Sequence, residues 1–210
     1  MDRYTAYAGV YDVLSGEPVY RLGRRRAVAA LGLGPGDRVL DLGCGSGLSL
    51  PLLVDAVGRE AGSEGGSEGE VVGVDASAAM LRVAGSKAGR HGWASVRLVQ
   101  TDAAQLDAVA EPGTLDALVA VYALSLMDDP AAVWAAARPL LRPGARVAVV
   151  DLARPTGRAR WATPLARLAC RVGGSDIEAA PWRHVEPDLR DVRAWSLVGG
   201  HVQVRVGTVG

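Results

Sequence analysis

The sequence has little cysteine and no excess of either charge. Its two cysteines, Cys44 and Cys170, offer neither the spacing of a metal site nor the disulfide framework of a small secreted protein. A reducing compartment, the cytoplasm, is therefore expected. Lys+Arg and Asp+Glu both number 23, so no overall charge directs the chain towards nucleic acid. A small molecule is the expected partner.

Long hydrophobic runs are also absent. No stretch approaches the roughly 18 apolar residues that suggest a membrane-spanning helix, and the first residues, MDRYTAYAGVYD, contain no signal-peptide core. Zinc-ligand spacing, a Ser-His-Asp string and a phosphate-binding lysine motif are missing as well. The 210 residues suit one α/β domain, so we expect a single domain over 1–210 and no metal.

What the sequence does contain is a glycine-rich turn directly after an apolar strand, in the string VLDLGCGSG. Gly43, Gly45 and Gly47 leave this turn without Cβ atoms, so its backbone can adopt unusual dihedral angles and approach a ligand closely. The N–H groups of the following helix start would complete a nucleotide-sized nest. The dinucleotide fingerprint G-x-G-x-x-G would need a glycine where this chain has Leu48, so a redox dinucleotide is disfavoured.

With Asp41 two residues ahead of the first glycine, the string DLGCGSG resembles the first motif of the Rossmann-like, class I S-adenosylmethionine-dependent methyltransferases. The resemblance implies S-adenosyl-L-methionine as cofactor and S-adenosyl-L-homocysteine as product. It also implies that Asp41 lies near the methionine end of the cofactor. An ordinary glycine-rich turn between a strand and a helix is the alternative for so short a motif.

A second acid, Asp75, ends the next apolar run, VVGVD. A carboxylate at the end of the second strand of a nucleotide-binding fold can accept hydrogen bonds from both ribose hydroxyls, about 20 residues beyond the turn. Asp75 follows Asp41 by 34 residues, and most of the excess is a Gly-, Ser- and Glu-rich insertion at 58–70 that we expect to be flexible. VVGVDAS resembles the family's second motif, which implies that Asp75 and Ala76 bind the cofactor. A helix cap made by Asp75 is compatible with that role.

Later segments extend the resemblance, which is good over 37–151 and looser at both ends. Asp102 and Ala103 follow a third strand, and an acid there meets the adenine amino group in this family. The string YALS follows the apolar strand LDALVAV and resembles the family's fourth motif, particularly in lipid head-group N-methyltransferases. This resemblance implies that Tyr122 and Ser125 flank the reactive methyl group.

Tyrosines are concentrated ahead of the glycine turn, at Tyr4, Tyr7, Tyr11 and Tyr20. One interpretation is a lid whose residues Tyr11 and Tyr20 contact the cofactor. The alternative is a segment that its aromatic side chains anchor to the domain. The order of residues here resembles the ubiquinone/menaquinone and lipid-amine methyltransferases. We therefore expect lid and helices over 1–36.

Two groups of arginines are candidates for contact with anionic lipid. Five arginines and no acid lie in 153–174, beside Trp161, Leu165, Leu168 and Val172 at helical spacing. A helix that covers the sheet with its arginines in solvent is the preferred interpretation, and peripheral membrane contact through 153–174 is the alternative. For the arginines at 24–26, a solvated helix face is again preferred to a head-group site.

His184 is the only histidine with companions that suggest chemistry. It lies in PWRHVEP, where the substrate wall of the family normally is, and it could remove a proton from a phenol or a carbon acid. A structural role is the commoner one for a lone loop histidine.

The order of elements predicts the fold. Strands and helices that alternate indicate a parallel sheet with right-handed crossovers, and the segments around Gly199-Gly200 indicate a C-terminal hairpin. With the resemblance, this gives a Rossmann-like α/β fold: a mostly parallel seven-stranded sheet with helices on both faces and a C-terminal antiparallel hairpin.

The expected function is methyl transfer to a small lipophilic molecule: a lipid amine, a quinone or a polyketide-type phenol. Two alternatives stay open. The same scaffold could use the cofactor for aminocarboxypropyl transfer or a non-methylating cyclisation, or it could be a non-catalytic module that binds the cofactor. The sequence does not predict the oligomeric state.

Overall fold

The computed structural model describes residues 17–58 and 69–210, apart from the side chains of residues 17–19 and of Val172. Within these ranges the helices and strands run as follows: α1 Glu17–Leu31, β1 Arg38–Leu42, α2 Leu50–Val57, β2 Glu70–Asp75, α3 Ala78–His91, β3 Val96–Gln100, β4 Leu115–Val121, α4 Pro130–Ala137, β5 Leu141–Leu152, α5 Thr163–Gly173, β6 Leu189–Leu197 and β7 Val202–Val209. The lid residues Tyr4, Tyr7 and Tyr11, and residues 59–68 of the insertion, lie outside the described residues.

The described strands form one sheet in the order β3-β2-β1-β4-β5-β7-β6. β1 to β5 are mutually parallel, whereas β7 is antiparallel to both β5 and β6. This confirms the predicted Rossmann-like sheet with its C-terminal antiparallel hairpin. The chain order reverses between β1 and β4, and in such sheets ligands bind outside the carboxyl ends of the strands at that reversal.

Both faces of the sheet are buried, which explains why its strands are almost continuously apolar. On one face, Leu40 and Leu42 of β1 pack in a cluster with Trp134 of α4. On the other face, Val39 packs with residues of α1 and α2, such as Ala27 and Leu53. The predicted helices on both faces are therefore confirmed.

Some element boundaries differ from the sequence prediction, because contacts across the sheet extend the strands. Glu70, which we assigned to the insertion, is the first residue of β2, and its carboxylate accepts hydrogen bonds from Arg38 at 2.9 Å and Arg97 at 2.8 Å. β5 runs from Leu141 to Leu152 and therefore includes the string Leu-Arg-Pro-Gly, whose proline and glycine are typical of a turn. No helix within the described ranges is long and apolar enough to cross a membrane.

Candidate cofactor site and active site

The glycine turn after β1 has the backbone that its composition predicts. Gly43, Gly45 and Gly47 have φ angles of 70°, 55° and 80°, in the left-handed region that favours glycine. A Cβ on Gly43 would lie 2.6 Å from the Cβ of Ala123, and one on Gly47 would lie 2.7 Å from Cδ1 of Leu50. A Cβ on Gly45 would meet nothing within 4 Å among the described residues. Gly43 and Gly47 thus permit close packing, while Gly45 borders open space.

Asp75 holds this turn in place from the end of β2. Its Oδ2 accepts a hydrogen bond from the backbone N–H of Gly45 at 2.8 Å, and its Oδ1 accepts one from Ser77 at 2.8 Å. A carboxylate has about four lone-pair sites, so both oxygens keep acceptor capacity. The half-exposed carboxylate can therefore still accept hydrogen bonds from a diol such as a ribose.

Asp41 lies in the strand below the turn and is buried, with 1% of its surface exposed. Its Oδ2 has no hydrogen-bond partner in the described part of the chain. Burial raises the pKa of this carboxyl group to about 7; the charge of Arg24 opposes the shift, and the charge of Asp75 adds to it. A buried acceptor without a partner is costly, so this oxygen suits an incoming cationic donor.

Arg24 is a functional candidate that the sequence analysis missed. We assigned the arginines at 24–26 to a solvated helix face, and this is wrong for Arg24, which is 6% exposed and interacts electrostatically with Asp41. Its neighbours Arg25 and Arg26 are exposed. The available signal was helical spacing, since Arg24 lies four residues before the core residue Val28 and therefore shares its face.

The other predicted cofactor residues lie along the same carboxyl edge. The backbone N–H of Thr101, after β3, donates to the carbonyl of Asp75 at 3.3 Å, which brings Asp102 beside the second strand. The Asp102 carboxylate is exposed and accepts a hydrogen bond from the N–H of Ala104 at 2.9 Å. Ala76 is exposed and Ala103 is half-buried.

Tyr122, the first residue after β4, is tied to α1. Its φ angle is 55°, an uncommon value for a residue with a Cβ. Its hydroxyl donates a hydrogen bond to the carbonyl of Tyr20 at 2.9 Å, and the two rings pack with their centroids 4.9 Å apart. A Cβ on Gly23 would lie 2.4 Å from the Tyr122 hydroxyl, so glycine is needed there. The structure thus brings Tyr20 and Tyr122 together.

Ser125 is buried, and its hydroxyl is hydrogen-bonded to Asp151 rather than free to face a substrate. The hydroxyl donates to Oδ1 of Asp151 at 2.6 Å, and the backbone N–H of Ser125 donates to Oδ2 at 3.0 Å. Burial raises the pKa of Asp151 to about 6, and these hydrogen bonds oppose the shift. The pair joins the loop after β4 to the end of β5.

His184 lies apart from this group. His184 is exposed in a short 3₁₀ turn that packs against α4 and β5, and within the described residues no hydrogen bond or ion pair links it to Tyr122 or Ser125. Its role as a base stays a prediction.

Burial raises the pKa of the Cys44 thiol well above its usual range, so it is not a nucleophile. No cluster of metal-ligating side chains occurs in the part of the chain that the structure describes.

The glycine turn and the acids that follow the strands belong to a segment that matches a known protein family. The family model described as "Methyltransferase domain" matches residues 33–173, which is more than half of the chain. The chain belongs to the class I S-adenosylmethionine-dependent methyltransferases. S-adenosylmethionine, the cofactor predicted from the glycine turn, is the cofactor of this family.

Individual relatives agree with this assignment. The chain is 38% identical over 151 residues to a 2-phytyl-1,4-naphtoquinone methyltransferase of Synechococcus elongatus, covering 70% of this chain and 61% of that one. It is 35% identical over 143 residues to a phosphatidylethanolamine N-methyltransferase of Cereibacter sphaeroides, covering 68% of this chain and 63% of the relative. The chain thus spans less than two thirds of the length of either relative. A SAM-dependent methyltransferase structure from Aquifex aeolicus superposes with a TM-score of 0.68 at 19% identity and full coverage of both chains, and shows the same fold.

The residues of this chain fit the cofactor of the family. The Asp41 oxygen without a partner suits an ammonium group, the open space beside Gly45 admits a ligand against the backbone, and Asp75 retains acceptor capacity for a diol. These three features lie within one turn and the two strands beside it.

Proposed function

We propose that this protein transfers a methyl group from S-adenosylmethionine to a small lipophilic acceptor: a quinone, a lipid amine or a polyketide-type phenol. The observation that carries the proposal is the buried Oδ2 of Asp41, which lacks a partner within the described residues and belongs to a carboxyl group that interacts electrostatically with Asp75. The quinone and lipid-amine methyltransferases among the relatives support this acceptor class.

In this proposal the carboxyl edge of the sheet holds the cofactor from end to end. Asp41 accepts hydrogen bonds from the methionine ammonium group, and Arg24 balances its charge. Asp75 accepts from the ribose hydroxyls while it holds Gly45 in place, and Asp102 accepts from the adenine amino group. When bound, the cofactor supplies a methyl group on a sulfonium that is already activated. The protein therefore contributes mainly proximity and alignment.

The acceptor side is formed by the loop after β4. Tyr122, fixed by the carbonyl of Tyr20 and by its ring contact, borders the space above the cofactor. Ser125 contributes by holding this loop against Asp151, because its hydroxyl is already committed. Tyr11 is outside the described residues, so its place beside the cofactor stays a prediction. A dedicated base is not required for an acceptor that reaches the methyl group unprotonated.

The proposal also covers the location of the protein, its domain organisation and the class of its acceptor. The proposed enzyme is cytoplasmic and consists of one domain with a lid over 1–36. The two buried free cysteines agree with the cytoplasmic location, because thiols stay reduced there. A balanced charge of 23 basic and 23 acidic residues favours a small-molecule acceptor over nucleic acid.

The experiment is incubation with methyl-labelled cofactor and a panel of quinones, lipid amines and phenols, read by mass spectrometry. An acceptor that gains about 14 daltons together with the label supports the proposal. Gain of the larger aminocarboxypropyl group would identify the alternative transfer reaction. Tight cofactor binding without turnover of any acceptor in the panel would favour the binding module.

A further inference from the structure

Three large apolar side chains project from one side of the segment 157–173, which comprises a 3₁₀ turn and α5. Trp161 is 82% exposed, Leu165 69% and Leu168 60%. Their spacing of four and three residues places them on one helical face. The segment packs on the protein through other residues, since Cys170 is buried and Ala166 is packed in the same core cluster as α1 and α2. We preferred a helix that covers the sheet with its arginines in solvent; the arginines are exposed as expected, but the apolar stripe is exposed as well.

Basic side chains surround the exposed stripe. Arg158, Arg160 and Arg171 are exposed, and none has an ion-pair partner in the described ranges. Arg154 and Arg167 pair with Glu178 instead. A pocket of about 210 Å³ follows α5, and its lining combines three arginines with two acids: Arg154, Arg167, Cys170, Arg171, Ser175, Asp176, Ile177 and Glu178. The cations available to a ligand are thus Arg158, Arg160 and Arg171, whose guanidinium groups can bind phosphate.

This surface adjoins the proposed active site. The segment follows β5 at the carboxyl edge of the sheet, where the cofactor residues lie. After α5, the hydroxyl of Ser175 is 3.4 Å from that of Ser125, and the N–H of Asp176 approaches the carbonyl of Ser125 at 3.5 Å. The loop after α5, which contacts Ser125, therefore connects the stripe with the loop that carries Tyr122.

We propose that residues 157–173 form a docking surface for an anionic lipid bilayer. Trp161, Leu165 and Leu168 enter the head-group region, while Arg158, Arg160 and Arg171 contact lipid phosphates. Exposed large apolar residues next to unpaired cations are the features of a helix that lies in a membrane interface. Charge complementarity selects an anionic bilayer over a neutral one, because each basic residue near such a surface adds attraction. The inference concerns binding and does not require that methyl transfer occurs.

The test measures co-sedimentation of the full chain with vesicles of phosphatidylcholine alone and of phosphatidylcholine mixed with phosphatidylglycerol. We expect binding to the mixed vesicles only, with a blue shift of tryptophan emission that Trp161→Tyr reduces. The double variant Arg158→Glu/Arg160→Glu should bind roughly tenfold or more weakly. Its matched control is Arg82→Glu/Arg90→Glu on α3, which changes the net charge equally on an exposed helix elsewhere.

The apolar part is tested separately with Leu165→Ser/Leu168→Ser. This variant should lose vesicle binding, whereas Leu22→Ser/Val192→Ser, which alters exposed apolar residues elsewhere, should retain it. Equal binding of the wild-type chain to neutral and anionic vesicles, or no binding to either, would overturn the proposal. Self-association that the Leu165/Leu168 variant abolishes, without vesicle binding, would instead assign the stripe to a second copy of the chain.

The affinity of each variant for S-adenosylhomocysteine, measured by calorimetry without vesicles, serves as the folding control. It should be unchanged. A chain that binds this ligand but no vesicles would refute the docking surface alone, and one that binds vesicles but transfers no methyl group would refute the proposed function alone.

Discussion

The hydroxyl of Ser125 donates a hydrogen bond of 2.6 Å to the carboxylate of Asp151, a residue with no exposed surface. The two residues are far apart in the sequence, at the ends of neighbouring strands. The backbone N–H of Ser125 donates to the other carboxylate oxygen at 3.0 Å. Together these bonds fix the loop that carries Tyr122, so the position of the proposed acceptor site depends on a buried carboxylate in the adjacent strand.

Replacement of Ser125 by alanine should therefore destabilise the fold. It removes a donor from a buried carboxylate, and such a loss costs about 1–3 kcal/mol. Denaturant unfolding at pH 8, where Asp151 is ionised, measures the change. Ser86→Ala, at an exposed position on α3, is the control and should have little effect. Unchanged stability with a large loss of kcat would show that the hydroxyl contacts the acceptor instead.

Gly23→Ala should damage both stability and the site. The new Cβ would lie 2.4 Å from the Tyr122 hydroxyl and 2.7 Å from Cγ1 of Val202, and overpacking of this kind costs about 1–3 kcal/mol. Gly89→Ala on α3 is the matched control, because its Cβ would meet nothing within 4 Å. It should stabilise the helix by up to about 1 kcal/mol. Thermal unfolding compares the two variants, and equal midpoints would contradict the close approach of α1 to Tyr122.

Asp75→Ala should weaken binding of S-adenosylhomocysteine by about 1.5–3 kcal/mol, since it removes charge-assisted hydrogen bonds to the ligand. It also removes the acceptor that holds the N–H of Gly45. Calorimetry measures the affinity, and circular dichroism should show that the fold survives. Asp55→Ala, at an exposed position on α2, is the control. Unchanged affinity would refute the ribose assignment, and NADH bound equally well would favour a dehydrogenase.

The affinity for S-adenosylhomocysteine should rise with pH between 6 and 8. Burial raises the pKa of Asp41 to about 7, so the carboxylate that suits the ligand's ammonium group predominates only above that pH. The increase should be roughly tenfold over this range. Calorimetry across the range measures it, and Asp41→Asn should bind weakly with a flat profile. A wild-type affinity independent of pH would show that Asp41 does not face the ammonium group.

The same pKa determines how Asp41 affects stability without the cofactor. The folded chain keeps a proton on this group up to about pH 7, whereas an unfolded carboxyl with the ordinary pKa of 3.8 has lost it. Because the folded state binds more protons in this window, the contribution of Asp41 to the free energy of unfolding falls as the pH rises from about 4 to 7. Saturating S-adenosylhomocysteine should reduce this decline.

The sequence by itself determined the features that depend on neighbouring residues. The strand LDALVAV was predicted at its observed bounds, Leu115–Val121, because a continuous apolar run suits a strand buried on both faces. The turn at Gly43, Gly45 and Gly47 followed from the absence of Cβ atoms, and its positive φ angles confirm it. The hairpin after Leu189 was equally visible, since alternating side chains around two glycines are a local pattern.

Tertiary structure decided which faces of the helices are buried. Arg24 looks like its neighbours in sequence, yet it is buried because α1 packs with that face against the sheet, where the charges of Arg24 and Asp41 interact. Trp161 and Leu165 have the spacing of a core stripe, yet they face outward because Cys170 and Ala166 occupy the contact with the core. Burial depends on the packing of elements that are distant in the chain, and periodicity gives the faces of a helix but not which of them the fold covers.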